Sequence, residues 1–388
     1  MNKVLILSIA LLIAFLSGCS QEPATKSLDH IETLTINSTF FENSLEYKVT
    51  LPKSYYESSK KGKKYFVLLN MHPGSQAYLG GLHDWLSHNG EKPWLESIIV
   101  TPVVHNSEFK NMLLADQTDQ TMLDYFEHDL LKTIDNTYRT NGFKIYSGFT
   151  AGGSFGLYAL INRPNIFNAY FISSPSLSDD FGLITSEAKE KLAKLDDQIR
   201  FLYLSIGNHR FEQEDFPEVK LFETALKTSP KSLNWQVHYN DDSNYMSRPV
   251  ISVIKGVETL FDDIHTDLKV DSETSQKGVQ AIIDHYTTLS DKKYGFPISA
   301  EGSLSALATS LMPSDAQRAL SIYHKSVQLY PESAYARASL AGVYEEIGDI
   351  DKAIHHQTQA VEKSKMLAEW RQNGLKKYLD QLVDMKNK

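Results

Sequence analysis

A glycine-flanked turn between an apolar strand and a helix is the feature that most limits how this chain can fold. Ile145-Tyr146-Ser147-Gly148-Phe149-Thr150-Ala151-Gly152-Gly153 leaves a strand-like run and enters helical spacing over Gly152 to Asn162, where Phe155, Tyr158 and Ala159 share one side. The glycines let the backbone turn sharply without a side-chain clash. The turn lifts Thr150 above the sheet, and the helix start behind it presents amides that favour negative charge.

The rest of the first half supplies the sheet. Ile31 to Asn37 and Glu46 to Leu51 read as an antiparallel edge. Tyr65 to Asn70 is a buried strand ending at the turn His72-Pro73-Gly74, and Ser97 to Val103 is the next. Phe143 to Ser147, Ala169 to Ser173, Phe201 to Ile206 and Trp235 to Tyr239 follow, and Met122 to Asn136 has helical spacing. Strands separated by helices predict an α/β domain over 31–264, a mostly parallel sheet with helices on both faces. Past Ile264 the strand pattern stops. A polar linker over Lys269 to Gln276 belongs to a linker-and-helix segment, 265–298, and a helical domain occupies 299–388. Met366 to Met385 reads as a capping helix.

The strand–turn–helix setting of Thr150 is the one required of a G-x-S-x-G nucleophile elbow. Around it, Phe126-Glu127-His128-Asp129-Leu130, Ile134-Asp135 and Tyr138-Arg139 lie upstream. Gly156-Leu157-Tyr158-Ala159-Leu160, Arg163-Pro164, Phe167 and Ile172-Ser173-Ser174-Pro175-Ser176-Leu177 lie downstream. Over roughly 31–264 these runs resemble the putative-esterase family, the enterobactin- and S-formylglutathione-esterase relatives of the α/β-hydrolase fold. The resemblance implies an ester-hydrolase ancestry and a Ser–His–acid site, with Gly148, Ala151, Gly152 and the His72 turn forming the elbow and oxyanion side.

The chain departs from that pattern at the reactive positions. Thr150 stands at the serine position. The late segment Asp241-Asp242-Ser243-Asn244-Tyr245-Met246-Ser247-Arg248-Pro249 matches the family's histidine segment with Tyr245 at the histidine. After Gly207-Asn208-His209-Arg210, Glu212 is the acid candidate and Glu214 its neighbour. Threonine adds a methyl group and a stiff χ1 at a crowded turn, yet it remains a nucleophile if a base activates it. A phenol titrating near ~10 does not take a proton at neutral pH as imidazole does. Loss of triad members costs orders of magnitude in turnover. His238, on the strand before Tyr245, is the alternative base or an ordinary strand histidine. His72, His83, His88, His105 and His209 are scattered near strand ends, and His355-His356 are adjacent on a helix. Without H-x-x-x-H or H-E-x-x-H spacing in the α/β part, solvated or packed roles are expected, with no metal and no cofactor.

The ends set the compartment. Met1-Asn2-Lys3, the apolar run Val4 to Phe15 and Leu16-Ser17-Gly18-Cys19 resemble a bacterial lipoprotein signal. The resemblance implies a signal peptide over 1–18, lipid on Cys19 and a tether over 19–30. Ser20 after the cysteine favours the outer membrane by analogy with enteric lipoproteins, with the periplasm as the expected side. Cys19 is the sole cysteine, which rules out an internal disulfide. A net charge of −9 without a basic, aromatic-interleaved run argues against nucleic acid.

In the helical part a 34-residue offset relates Ala319 to Ala353, Ser326 to Ala360 and Ala306 to Leu340. Leu340-Ala341, Tyr344, Gly348, Ala353 and Ala360 resemble tetratricopeptide positions, small where paired helices approach closely. Three functions remain open on sequence grounds. One is a lipid-anchored, esterase-like binding protein with a degenerate triad. Another is an active carboxylic-ester hydrolase using Thr150. The third is a scaffold for a protein partner at the repeats.

Overall fold

The computed structural model describes residues 30–57, 60–88, 93–104, 120–239 and 242–387. The expected signal peptide, Cys19, nearly all of the tether, and His105 lie outside the described residues.

Eight strands form one sheet in the order β1-β2-β4-β3-β5-β6-β7-β8. β1 (His30–Ile36) and β2 (Leu45–Leu51) make the antiparallel edge expected from the sequence, β2 pairing antiparallel to β4 (Ser97–Pro102). β3 (Tyr65–Asn70), β5 (Thr140–Thr150), β6 (Ala169–Pro175), β7 (Arg200–Ile206) and β8 (Leu233–Tyr239) run parallel. Continuous apolar runs such as Tyr65–Asn70 sit at the middle of the sheet, where both faces are covered.

Alternate residues of each central strand face opposite layers. Val67 and Leu69 join Tyr146, Ile172 and Leu204 beneath the helices that supply Phe126, Phe155, Leu192 and Phe222. Phe66 and Leu68 face the other way, with Phe143, Phe171 and Tyr203. Helices Ser75–His88 and Arg248–Leu260 cover that second face. The helix expected over Met122 to Asn136 is continuous but contains a π-helical stretch, Tyr125–Leu130, between Thr121–Asp124 and Leu131–Thr137.

The C-terminal region is all helical and shares the second layer. Helices Glu301–Leu311, Ala316–Leu329, Ala334–Glu346 and Ile350–Lys363 stand in consecutive hairpins, closed by Glu369–Lys386. The segment before them is no loose connector. Its stretch Leu289–Tyr294 places Tyr294 against Phe66, Phe143 and Phe261. Tyr294 donates its hydroxyl to the Leu260 carbonyl at 2.8 Å, and Lys293 pairs with Asp263 at 2.5 Å. Among the described residues no helix is long and apolar enough to cross a membrane.

Candidate functional site

Parallel strands bring their C-terminal ends to one edge, where loops from distant parts of the chain converge. The elbow stands there as the sequence pattern predicts. Thr150 ends β5 with φ 52° and ψ −123°, and helix Ala151–Asn162 begins at once. A β-branched residue at positive φ is costly, by about 1–3 kcal/mol, and persists only when its surroundings impose it. The surroundings here do so. A Cβ at Gly148 would lie 2.3 Å from the Gly152 carbonyl oxygen, so only glycine lets the two arms of the turn meet. The buried Tyr146 hydroxyl donates to that same carbonyl at 2.8 Å. Ser154 donates to the Ser176 carbonyl at 2.6 Å and so ties the helix to the loop after β6. The register between β5 and β6 shifts between Phe149 and Thr150, where the chain departs from the sheet.

Ala151 and Gly152 open the helix, where the first amides have no intrahelical acceptor. The His72 turn lies on the neighbouring strand end. Asn70 pairs in register with Ser147, and its side-chain amide donates to the Ser147 hydroxyl at 3.2 Å. His72 itself is exposed and serves the turn: its Nδ1 accepts from Gly74 N at 3.1 Å, and its carbonyl accepts from the Ser75 hydroxyl at 2.6 Å.

Tyr245 also reaches this edge. It opens a short 3-10 turn, Tyr245–Ser247, in which Asn244 Oδ1 accepts from Met246 N at 3.0 Å. Its ring lies 5.0 Å from that of Phe149, the residue before Thr150, and 5.5 Å from that of Phe211. The His209 imidazole stacks on it at 5.3 Å and 16°. Burial, followed by the carboxylates of Glu212 and Asp215, raises the Tyr245 phenol above its ordinary value, while Arg248 opposes them. The phenol therefore holds its proton at neutral pH.

Glu212 is 1 % exposed and densely held. Its Oε1 accepts from the Ser174 hydroxyl at 2.5 Å and from Gly207 N at 3.1 Å, and its Oε2 accepts from His209 N at 3.1 Å. Arg248, also 1 % exposed, brings Nε to 3.1 Å from Oε1, a charge pair by distance without the alignment of a hydrogen bond. Glu214 stays exposed, whereas Asp215 is buried and accepts from Leu177 N at 2.7 Å and Ser178 N at 2.9 Å. Ser174, itself at φ 42°, Asp215 and Arg248 were not singled out from the sequence. The only local hint to Arg248 is its place three residues after Tyr245, just before a proline at a helix start.

Thr150 Oγ makes no hydrogen bond with a described residue, imidazole included. His238 is exposed on edge strand β8, stacked on Tyr203 at 5.0 Å with Nε2 3.3 Å from Gln236 Oε1. His83 is fully buried. Its Nε2 accepts from Ser97 N at 2.8 Å, and burial followed by the nearby His88 pushes its pKa down to about 3. His88 sits 3.2 Å from Glu96 through Nε2. In the helical region His356 stacks on Tyr344 at 5.4 Å, and Tyr344 meets His324 Nε2 at 2.9 Å. Among the described residues no group of three or more His, Cys, Asp or Glu side chains is placed to hold a metal ion.

Several solved structures share this architecture. An IroE-like serine hydrolase from Shewanella oneidensis aligns at 22% identity over 78% of this chain and 100% of its own, with a TM-score of 0.56. An uncharacterised protein from Capnocytophaga ochracea aligns at 16% identity over 92% of this chain and 100% of its own, with a TM-score of 0.63. The BES protein from Bacillus cereus aligns at 17% identity over 60% of this chain and 95% of its own, with a TM-score of 0.52. At these identities the likeness is one of fold. No curated protein matches the sequence. The model of the family described as Putative esterase matches residues 38–245, just over half of the 388. With the elbow in place and the sheet around it, the chain belongs to that esterase family.

Proposed function

We propose that this chain is a lipid-anchored member of the esterase family whose reactive site is degenerate and serves to bind a small, ester-like ligand. The observation that carries the reading is the setting of Thr150. Among the described residues no imidazole hydrogen-bonds its hydroxyl, while a protonated phenol, Tyr245, sits beside the elbow where the family resemblance expects histidine. The acid candidate Glu212 is engaged by a serine, two backbone amides and an arginine. A hydroxyl without a base has little nucleophilic power, but the elbow and its helix start still favour a polarised carbonyl or an anion. The lipobox-like Leu16-Ser17-Gly18-Cys19 supports export and a lipid on Cys19, with the outer membrane facing the periplasm as the site of action. The helical hairpins supply a tetratricopeptide-like surface for a protein partner, consistent with the 34-residue offset of their small residues.

A second reading, an active hydrolase using Thr150, is favoured by one observation: the His209 ring lies on Tyr245 at the rim of the elbow. Hydrolysis of a short-chain activated ester by residues 20–388 separates the two. Wild type matching Thr150→Ala at background, with a gain in Thr150→Ser/Tyr245→His, supports the binding reading. Turnover that Thr150→Ala abolishes and His209→Ala reduces about 100-fold or more supports the second.

A further inference from the structure

We propose that Arg248 is a built-in counter-charge that engages Glu212, so that the acid is withdrawn from any base at position 245. The inference rests on the binding reading above and deepens it: besides a phenol at position 245, the site holds a residue that opposes the work of an imidazole there.

Three observations converge on Arg248. It is as buried as the acid, and its Nε stands 3.1 Å from Glu212 Oε1. The same oxygen already takes the Ser174 hydroxyl and the Gly207 amide, so Oε1 is fully used. The guanidinium also occupies space that the chain leaves open for it. A Cβ at Gly207 would fall 1.9 Å from Nη2 and 2.1 Å from Cζ and Nη1. Residue 207 opens the loop that carries Glu212, and Arg248 starts the helix that follows the Tyr245 turn. The acid loop and the Tyr245 turn are therefore joined through this cation as well as through the rings of His209 and Phe211 on Tyr245.

The charge has a consequence at position 245. The charged groups acting on Tyr245 are Glu212, Asp215 and Arg248, the two carboxylates opposed by the guanidinium. His209 stacks on the ring from the same loop. In a Ser–His–acid site the carboxylate orients the imidazole and stabilises its protonated form. A carboxylate already paired with a buried guanidinium exerts little of that pull. Arg248 is thus a positioning residue for Glu212, acting through the acid without touching ligand.

The test uses residues 20–388 carrying Thr150→Ser/Tyr245→His, with kcat followed against pH on p-nitrophenyl acetate. With Arg248 present, slow turnover with an apparent pKa near the ~6.5 of a free imidazole is expected. Adding Arg248→Met should raise kcat about tenfold and move the apparent pKa up by about one unit. Adding Arg248→Lys, which keeps the charge, should leave both near their starting values. The proposal is overturned if Met and Lys behave alike, if the starting variant already shows the raised pKa, or if Arg248→Met brings no gain while retaining a cooperative unfolding transition. If Arg248→Met fails to fold, Glu212→Gln in the starting variant decides. A rate within about twofold supports an acid already engaged, and a tenfold fall in a variant that keeps a cooperative unfolding transition shows that the acid serves the imidazole despite Arg248. Wild-type activity lost in Thr150→Ala would sink the binding reading separately, because none of these variants depends on it.

Discussion

The elbow and the two loops that face it are held in place by different means. At the elbow the backbone makes a sharp, braced strand-to-helix turn: φ is 52° at Thr150, Gly148 lies against the Gly152 carbonyl, and Tyr146 and Ser154 brace both arms. In the facing loops, 207–215 and 243–248, the connections are dense but their side chains form another network, with Arg248 on Glu212 and Tyr245 stacked on His209. The contrast shows where each feature is anchored. The elbow is continuous with a central strand and a buried helix, so its shape is part of the packing of the core. The loop side chains are instead held to one another through Glu212 and Arg248.

The strongest way to break this comparison is to disturb the loop network. Glu212→Gln leaves Arg248 buried without its charge, and a loss of about 3–5 kcal/mol is expected. Glu212→Gln/Arg248→Met should recover much of it. Urea unfolding of the three proteins checks this, and equal stability of wild type and Glu212→Gln would mean that the ion pair is incidental.

A control outside both regions concerns acid. Because the pKa of His83 is about 3 in the folded chain, against ~6.5 unfolded, the unfolded state binds the extra proton between those values. His83 thus contributes fully above about pH 6.5, and its contribution falls by up to ~1.4 kcal/mol per pH unit as pH drops toward 3. Melting temperatures at pH 7 and pH 5 should converge in His83→Gln, whose amide oxygen can still accept from Ser97 N. An unchanged difference would place the acid sensitivity elsewhere.

The smallest expected effect sharpens the elbow side. Thr150→Gly removes the Cβ strain at positive φ but adds unfolded-state freedom, and a net gain of about 1 kcal/mol is expected. A loss would show that the threonine methyl or hydroxyl contributes contacts of its own.

Sequence pattern revealed the elbow more fully than the loops, for the same physical reason. The strand Tyr65–Asn70 and the helix following Thr150 are written in local periodicity, and the structure places them within a residue of the expected bounds. β5 is longer than expected, Thr140–Thr150, because its first residues are polar and join the sheet through tertiary pairing. The π-helical stretch at Tyr125–Leu130 carries no local signal at all. The motif match sets Tyr245 at the histidine position, and in the structure its ring lies 5.0 Å from that of Phe149 beside the elbow. Arg248 and Ser174 carry no local signal because their meaning lies in a carboxylate 36 and 38 residues away.

The Leu260 carbonyl, at the last turn of helix Arg248–Leu260, is met by Lys293 Nζ at 3.0 Å and by the Tyr294 hydroxyl, 33 and 34 residues further along the chain. That helix covers the sheet on the face where Phe66 and Phe143 also wait for Tyr294 and Phe296. During synthesis, the esterase half leaves the ribosome with one layer unfinished. The part of its second face around Phe66 and Phe143 is roofed only when the stretch after residue 289 has emerged, so that layer is completed after the rest of the sheet has been translated. A nascent chain halted near residue 264 would present an open aromatic face to whatever chaperone or membrane lies nearby.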